Sequence, residues 1–407
     1  MSPFWKKAVI VVSVLIFAYV AVGYVKGKGG DDKTYATLTV YSEVLQYIQD
    51  DYVDQPSIPE VTSGALHGLL DSLDPQSSYL SPAEYADYEK KIDDKTKGQV
   101  GIFLSKRFGY VVVVSVLPNS PALNAGLKDG DLLESIAGIS TTEMSIGEAD
   151  VLLTGDPGKT VTCEIIRRGK QQPFDVTMTY AKLQPPHLLE EQMQDGIAYL
   201  RVPAFEPGTS RQIREKLIQF KRQGAKKLIL DLRGSASGPE SEGVDTTQLF
   251  LPSGTITTLE GQTVTKQTFS ADPSKVVWNA PMTVLISSGT AGPAEILAAA
   301  IGDNHRGDTV GENTFGTASE QKLIPLNDGS ALILTVANYF TPAGKSIPKE
   351  GVAPTVEVSP KTVSDVAQLN EDQLAPPPPG QLPSADDPVV KKAIEILQGS
   401  SPAQKAD

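Results

Sequence analysis

The chain has 407 residues, with 36 Lys and Arg against 49 Asp and Glu, a formal charge of −13, one Cys and three His. The length allows two or three domains, and 40% hydrophobic with 21% charged residues is ordinary globular composition, which excludes a wholly disordered or fibrous chain. The acidic balance speaks against a nucleic-acid partner, and with Cys163 alone and no Cys/His cluster at zinc spacing, neither a disulfide nor a metal or other cofactor is expected.

Residues 8–25 form an uncharged, mostly apolar run of 18 positions, just long enough to span a bilayer as a helix. Lys6 and Lys7 precede it, and cations on the short N-terminal side favour keeping that end in the cytoplasm. We read residues 1–28 as a signal anchor, with the rest of the chain exported and held at the inner membrane. A cleaved signal peptide, with Ala21-Val22-Gly23 as the cleavage site, is the competing reading.

From residue 34 to 95 apolar positions recur at helical spacing (Leu38, Tyr41, Val44, Leu45, Ile48, then Leu66, Leu69, Leu70, Leu73), which predicts two or three helices. Ser81 is a natural N-cap for the helix through Tyr85 and Tyr88. Over 96–182 the pattern changes to β-branched runs (VGIFL, YVVVVSVL, LLESIAGI, KTVTCEIIRR) separated by the turn signals PNSP, KDGD and GDPGK, with a helix from Ile146 to Leu153. That order makes a small, partly open β-barrel.

Over 183–360, strands (IAYLRV, KLILDL, MTVLIS) alternate with helices at 210–223, near 240–251 and at 293–301. Repeated β-α-β units imply a mainly parallel sheet covered by helices. A Pro-rich linker at 361–388 leads to a short amphipathic helix at 389–398.

DSLDPQSSYLSPAEY, the run SPALNAGLKDGDLLESIAGIST, GIAYLRVPAF followed by KKLILDLR, and GDNHRGDTVGENTFG with NYFTPAGKSIPKEGVAP occur in this order. Together they resemble the carboxyl-terminal processing peptidases, tail-specific serine proteases with an inserted PDZ domain. The resemblance implies an α/β multidomain chain with N-terminal helices, a PDZ β-barrel and a β/α core of the crotonase-like and caseinolytic-protease-like kind.

Members of that family cleave peptide bonds with a Ser activated by a neutral Lys, the Ser standing at a helix start where backbone amides stabilise an oxyanion. In the run Gly289-Thr-Ala-Gly-Pro-Ala-Glu295-Ile296 the position matching the Ser is Gly292. The position matching the Lys, after Phe315-Gly316, is Thr317, and the spacing of 25 residues is the one the family implies. Glycine has no side chain to attack a carbonyl, and a threonine hydroxyl is no base near neutral pH. Gln321 and Asp303 match retained family positions. After Asp231-Leu-Arg only Gly238 agrees with the family's Gly-rich oxyanion run, and Ser237 lacks the conformational freedom of the Gly it replaces.

We therefore expect a pseudoprotease. The alternative is an active serine-type endopeptidase with a relocated nucleophile among Thr290, Ser288, Ser319 and Ser237, and a base among Lys322, Lys345 and His305, Ser319 with Lys322 being the first pair to test. His67, His187 and His305 show no triad pattern, and His67 reads as structural.

A PDZ domain binds a peptide C-terminus as an added strand, its carboxylate held by a Gly-containing loop. The resemblance places that loop at Gly98-Gln-Val-Gly101, with Val100, Gly101, Ile102 and Phe103 on the strand side and Ala149, Leu152 and Leu153 on the helix side. The expected partners are C-terminal or unfolded peptide segments, an active paralogue or an adaptor protein, further copies of this chain in a homo-oligomer, and the membrane; a purely structural envelope scaffold is a third reading.

Overall fold

The structure, a computed structural model, describes residues 32–358 and 381–399 except 93, 108, 143 and 385. The signal-anchor run at 8–25 and most of the Pro-rich linker lie outside the described residues, and no described helix is long and apolar enough to cross a membrane. The chain divides into two units, Met1–Leu66 and His67–Asp407. In the first, helix α1 (Asp32–Asp51) takes up the periodic apolar pattern, with Leu38, Tyr41 and Val44 exposed, and helix α2 (Ile58–Asp71) begins.

In the second unit, Asp74 Oδ1 ties down the amides of Gln76 and Ser77 at 2.9 Å each, a turn that ends in strand β1 (Ser78–Leu80). Helix α3 (Pro82–Lys91) starts at Ser81, which forms a reciprocal capping box with Glu84 and is followed by Pro82 at the first helical position.

The PDZ domain follows as β2 (Gly98–Gln99), β3 (Ile102–Arg107), β4 (Tyr110–Val116), α4 (Pro121–Asn124), β5 (Leu132–Ile136), β6 (Ile139–Ser140), α5 (Ile146–Leu152), β7 (Thr154–Gly155), β8 (Thr160–Ile166) and β9 (Phe174–Thr179). Its antiparallel sheet runs β3-β4-β5-β8-β9, so β3 is an edge strand. The four consecutive valines of β4 follow from burial on both faces. Val111 and Val113 point into the PDZ core, whereas Val112 and Val114 pack on Ala236 and Ala291 of the next domain.

That domain contains β10 (Leu189–Gln192), β11 (Ile197–Arg201), α6 (Thr209–Arg222), β12 (Lys227–Asp231), α7 (Glu240–Thr247), β13 (Thr255–Glu260), β14 (Gln267–Ser270), β15 (Met282–Ile286), α8 (Pro293–Asp303), β16 (Asp308–Gly311), β17 (Ser319–Pro325), β18 (Ala331–Phe340), α9 (Ile347–Glu350), β19 (Val356–Glu357) and α10 (Pro388–Gly399). One sheet has the order β10-β11-β12-β15-β16-β19 and is parallel except at β10. Alternation along β11 sends Ala198 and Leu200 to the face covered by α6 and α8, and Ile197 and Tyr199 to the face covered by α10 through Val389, Val390, Ala393 and Leu397.

A second, antiparallel sheet joins β1, β18, β13, β14 and β17. The hydrophobic pattern alone did not predict β1, β10, β13 or β14. These are short or half-exposed strands, and the partner of β1 lies far along the chain, with Ser78 opposite Ile333.

Candidate active site and peptide groove

Gly292 ends the turn from β15 into α8 and caps that helix with φ 55° and ψ −121°. A serine holds such a strand-to-helix elbow only under strain, and glycine adopts it freely. A Cβ added here would meet Ala236 O at 3.5 Å and Glu240 Oε1 at 3.7 Å, ordinary contacts, so the space for a side chain persists.

The structure brings the two dyad positions together. Gly292 N donates to Thr317 Oγ1 at 3.0 Å and to Glu295 Oε2 at 2.9 Å. Glu295 is fully buried and also accepts from Thr314 Oγ1 at 2.5 Å, Gly316 N at 2.7 Å and Thr317 N at 2.8 Å. Burial pushes its carboxyl above the usual carboxylate range, and these hydrogen bonds pull the other way.

Sequence reasoning missed the next residue. Pro293 occupies the first helical position and has no N–H. Ala294 N is turned to Ala291 O at 3.3 Å and Glu295 N to Gly292 O at 3.0 Å. From Gly292 to Glu295, each amide is thus either absent or already bonded, at the place where a helix N-terminus would receive an oxyanion. The signal was visible as Pro following the nucleophile position.

The cleft is also acidic. Burial pushes the Glu240 carboxyl up to about 7, with the Glu320 and Glu295 carboxylates adding to the shift. Tyr339 donates its hydroxyl to Glu320 Oε1 at 2.7 Å.

The other candidates are placed as follows. Ser319 Oγ donates to Thr317 O at 2.9 Å and accepts from Gln321 Nε2 at 2.9 Å, while Lys322 and Lys345 are exposed. Thr290 Oγ1 donates to Leu232 O at 2.9 Å and accepts from Ser287 N at 3.0 Å, a structural use. Ser288 is exposed. Asp303 and His305 lie at the opposite end of α8 from Gly292, where Asp303 Oδ2 accepts from Ala343 N at 2.9 Å.

In the oxyanion loop, Gly234 (φ 69°) and Gly238 (φ 114°) carry the positive φ angles, so Ser237 is not asked for glycine's freedom. At Gly238 a Cβ would come within 1.9 Å of Phe205 O, which restricts the position to glycine. Ser237 Oγ is buried without a hydrogen-bond partner.

The peptide groove is a cavity of about 320 Å³ between β3 and α5, lined by Val100, Gly101, Ile102, Asp150 and Leu153 and reaching Ser237 of the oxyanion loop. On the helix side Leu153 lines the groove as expected, joined by Asp150 in place of Ala149 and Leu152. Helical phase turns Ala149 fully into the PDZ core, and Leu152 packs against that core. Phe103 is likewise directed to the cluster with Ala236, Ala291 and Phe315. Arg107, at the end of β3, stacks 4.0 Å over the Phe315 ring and donates to Phe315 O at 3.3 Å, beside Thr317. Ser115 Oγ donates to Gly234 O at 2.5 Å, so the PDZ sheet sits on both loops of the dyad corner.

Residues 196–358 match the profile of Peptidase family S41, and residues 112–167 match that of the PDZ domain. A carboxyl-terminal-processing protease of Synechocystis sp. is 32% identical over 325 residues, covering 78% of this chain and 76% of that protein. A carboxy-terminal-processing protease of Bartonella bacilliformis is 30% identical over 342 residues, covering 81% and 76%. A solved photosystem II D1 C-terminal processing protease superposes with a TM-score of 0.66 at 25% identity, over 80% of this chain and 94% of that one. An elbow at a helix start, facing a strand-end residue beneath a PDZ sheet, defines the architecture of a PDZ-bearing serine-type peptidase. The chain belongs to the carboxyl-terminal processing peptidase family.

Proposed function

We propose that this chain is a membrane-anchored, exported member of the family that does not cleave peptide bonds and instead holds peptide C-termini in its PDZ groove, alone or as a regulator of an active relative. The carrying observation is the closed hydrogen-bond ring at the dyad corner. The amide of Gly292 is bonded to Thr317 Oγ1 and Glu295, Pro293 offers no donor, and no nucleophile or neutral base stands at either position. The groove, by contrast, keeps a free strand edge, a Gly101 loop at φ 85° and an apolar floor, the parts a peptide C-terminus needs. Export and anchoring rest on the apolar run at 8–25 behind Lys6 and Lys7, and homo-oligomer formation on the family resemblance.

The test compares the full chain, the Gly292→Ser/Thr317→Lys variant and the same variant with Pro293→Ala, each with an unstructured protein ending in apolar residues. The native chain is expected to bind this protein and leave it intact. Because losing one oxyanion donor costs roughly 10²–10³ in rate, the double variant is expected to stay at least about 100-fold below the triple. Cleavage by the native chain overturns the proposal, with Ser237→Ala the first check for a relocated nucleophile. Absence of any affinity for apolar C-termini would instead leave a structural scaffold.

A further inference from the structure

We propose that His67, Glu84 and Glu148 form a binding site for a divalent cation of the zinc class, joining α2, α3 and the PDZ helix α5. One imidazole and two carboxylates come from three separate elements, and their donor atoms all lie within 4.8 Å of one another. His67 Nε2 is 3.5 Å from Glu84 Oε2 and its Nδ1 is 3.8 Å from Glu148 Oε2. Tetrahedral zinc, with bonds of about 2.0–2.2 Å, sets its donors roughly 3.4 Å apart, so small side-chain shifts complete the set. Imidazole with two carboxylates and a water is an ordinary ligand set for such an ion.

A further feature of the cluster itself points to a cation. His67 Nδ1 is buried and has no hydrogen-bond partner, and a buried unsatisfied ring nitrogen calls for a water or an ion.

The side chains are held close to these positions by their surroundings. Glu84 Oε2 accepts from Ser81 N and Glu148 Oε2 from Ser145 N, both at 2.6 Å, as the third residue of two capping boxes. Tyr79 fixes the imidazole edge-on, with ring centroids 5.3 Å apart. Because the helix that carries Glu148 also supplies Asp150 to the groove, a bound cation would fix one wall of the peptide site.

The full chain, stripped of metal by a chelator, is titrated with Zn²⁺ by calorimetry, and with Co²⁺ while its visible absorption is followed. Glu84→Gln and Glu148→Gln retain a residue that can close the capping box, so they remove metal-binding charge without removing the cap. One cation per chain is expected. Affinity should fall at least about 10-fold in either Gln variant, and the Co²⁺ absorption should be lost in His67→Ala. No stoichiometric binding by the native chain overturns the proposal. So does binding that is unchanged in both Glu148→Gln and His67→Ala, which would assign the cation to other groups.

Discussion

The dyad corner and the peptide groove meet at the same loop, yet their polar groups are in opposite states. At the corner, the Gly292 amide, the Thr317 hydroxyl and the Glu295 carboxylate satisfy one another. In the groove, the edge of β3 and the Gly101 loop stay open toward a cavity that also touches Ser237. The difference shows how an active centre can be closed without disturbing its scaffold. The elbow backbone of Gly292 is intact and has room for a side chain, and the change lies in which hydrogen bonds are already made.

That contrast can be broken from either side. The largest effect is expected for Glu295→Ala, which strands buried donors on Thr314, Gly316 and Thr317. At about 1–3 kcal/mol for each donor left without a partner, denaturant unfolding should report a loss of at least about 3 kcal/mol. On the groove side, Gly101→Ala places a Cβ 2.3 Å from that of Ser120 at a φ of 85°. Fluorescence anisotropy with a labelled apolar-tailed peptide should show about 2 kcal/mol of lost affinity, roughly thirtyfold.

Glu240→Gln separates the two sites by pH. The native carboxyl titrates near 4.5 when unfolded and at about 7 when folded. An acid whose folded value is raised penalises the folded state as pH climbs through that window and leaves it untouched below. The variant should therefore match the native chain at pH 4 and exceed it at pH 8 by about 1–2 kcal/mol, read from unfolding midpoints. The smallest change is expected for Thr317→Val, which removes one of two acceptors of the Gly292 amide and should cost about 0.5–1.5 kcal/mol.

Much of the architecture was legible because it rests on local pattern. The valine run of β4, the alternating strands and helices from Gly196 and the capping residue Ser81 each state their own structure. The meeting of positions 292 and 317 was also legible, because their spacing carries the family resemblance. Which face of α5 lines the groove was not, since Ala149 and Asp150 differ only in helical phase against strands distant in sequence. Pro293 was in plain view, but its missing N–H matters only once the directions of the neighbouring amides are known. The grouping of His67, Glu84 and Glu148 had no spacing signal, because three separate elements bring it together.

The pairing of β1 with β18 sets a timetable for synthesis. Ser78 cannot find Ile333 until the whole PDZ domain and most of the core have been made, whereas β3 to β9 form a sheet among themselves. A finished PDZ barrel can thus stand while the strand just ahead of it waits unpaired for a partner some 250 residues later. Truncated chains ending shortly after β9 should resist protease across β3–β9, and protection of β1 should appear only in chains that include β18.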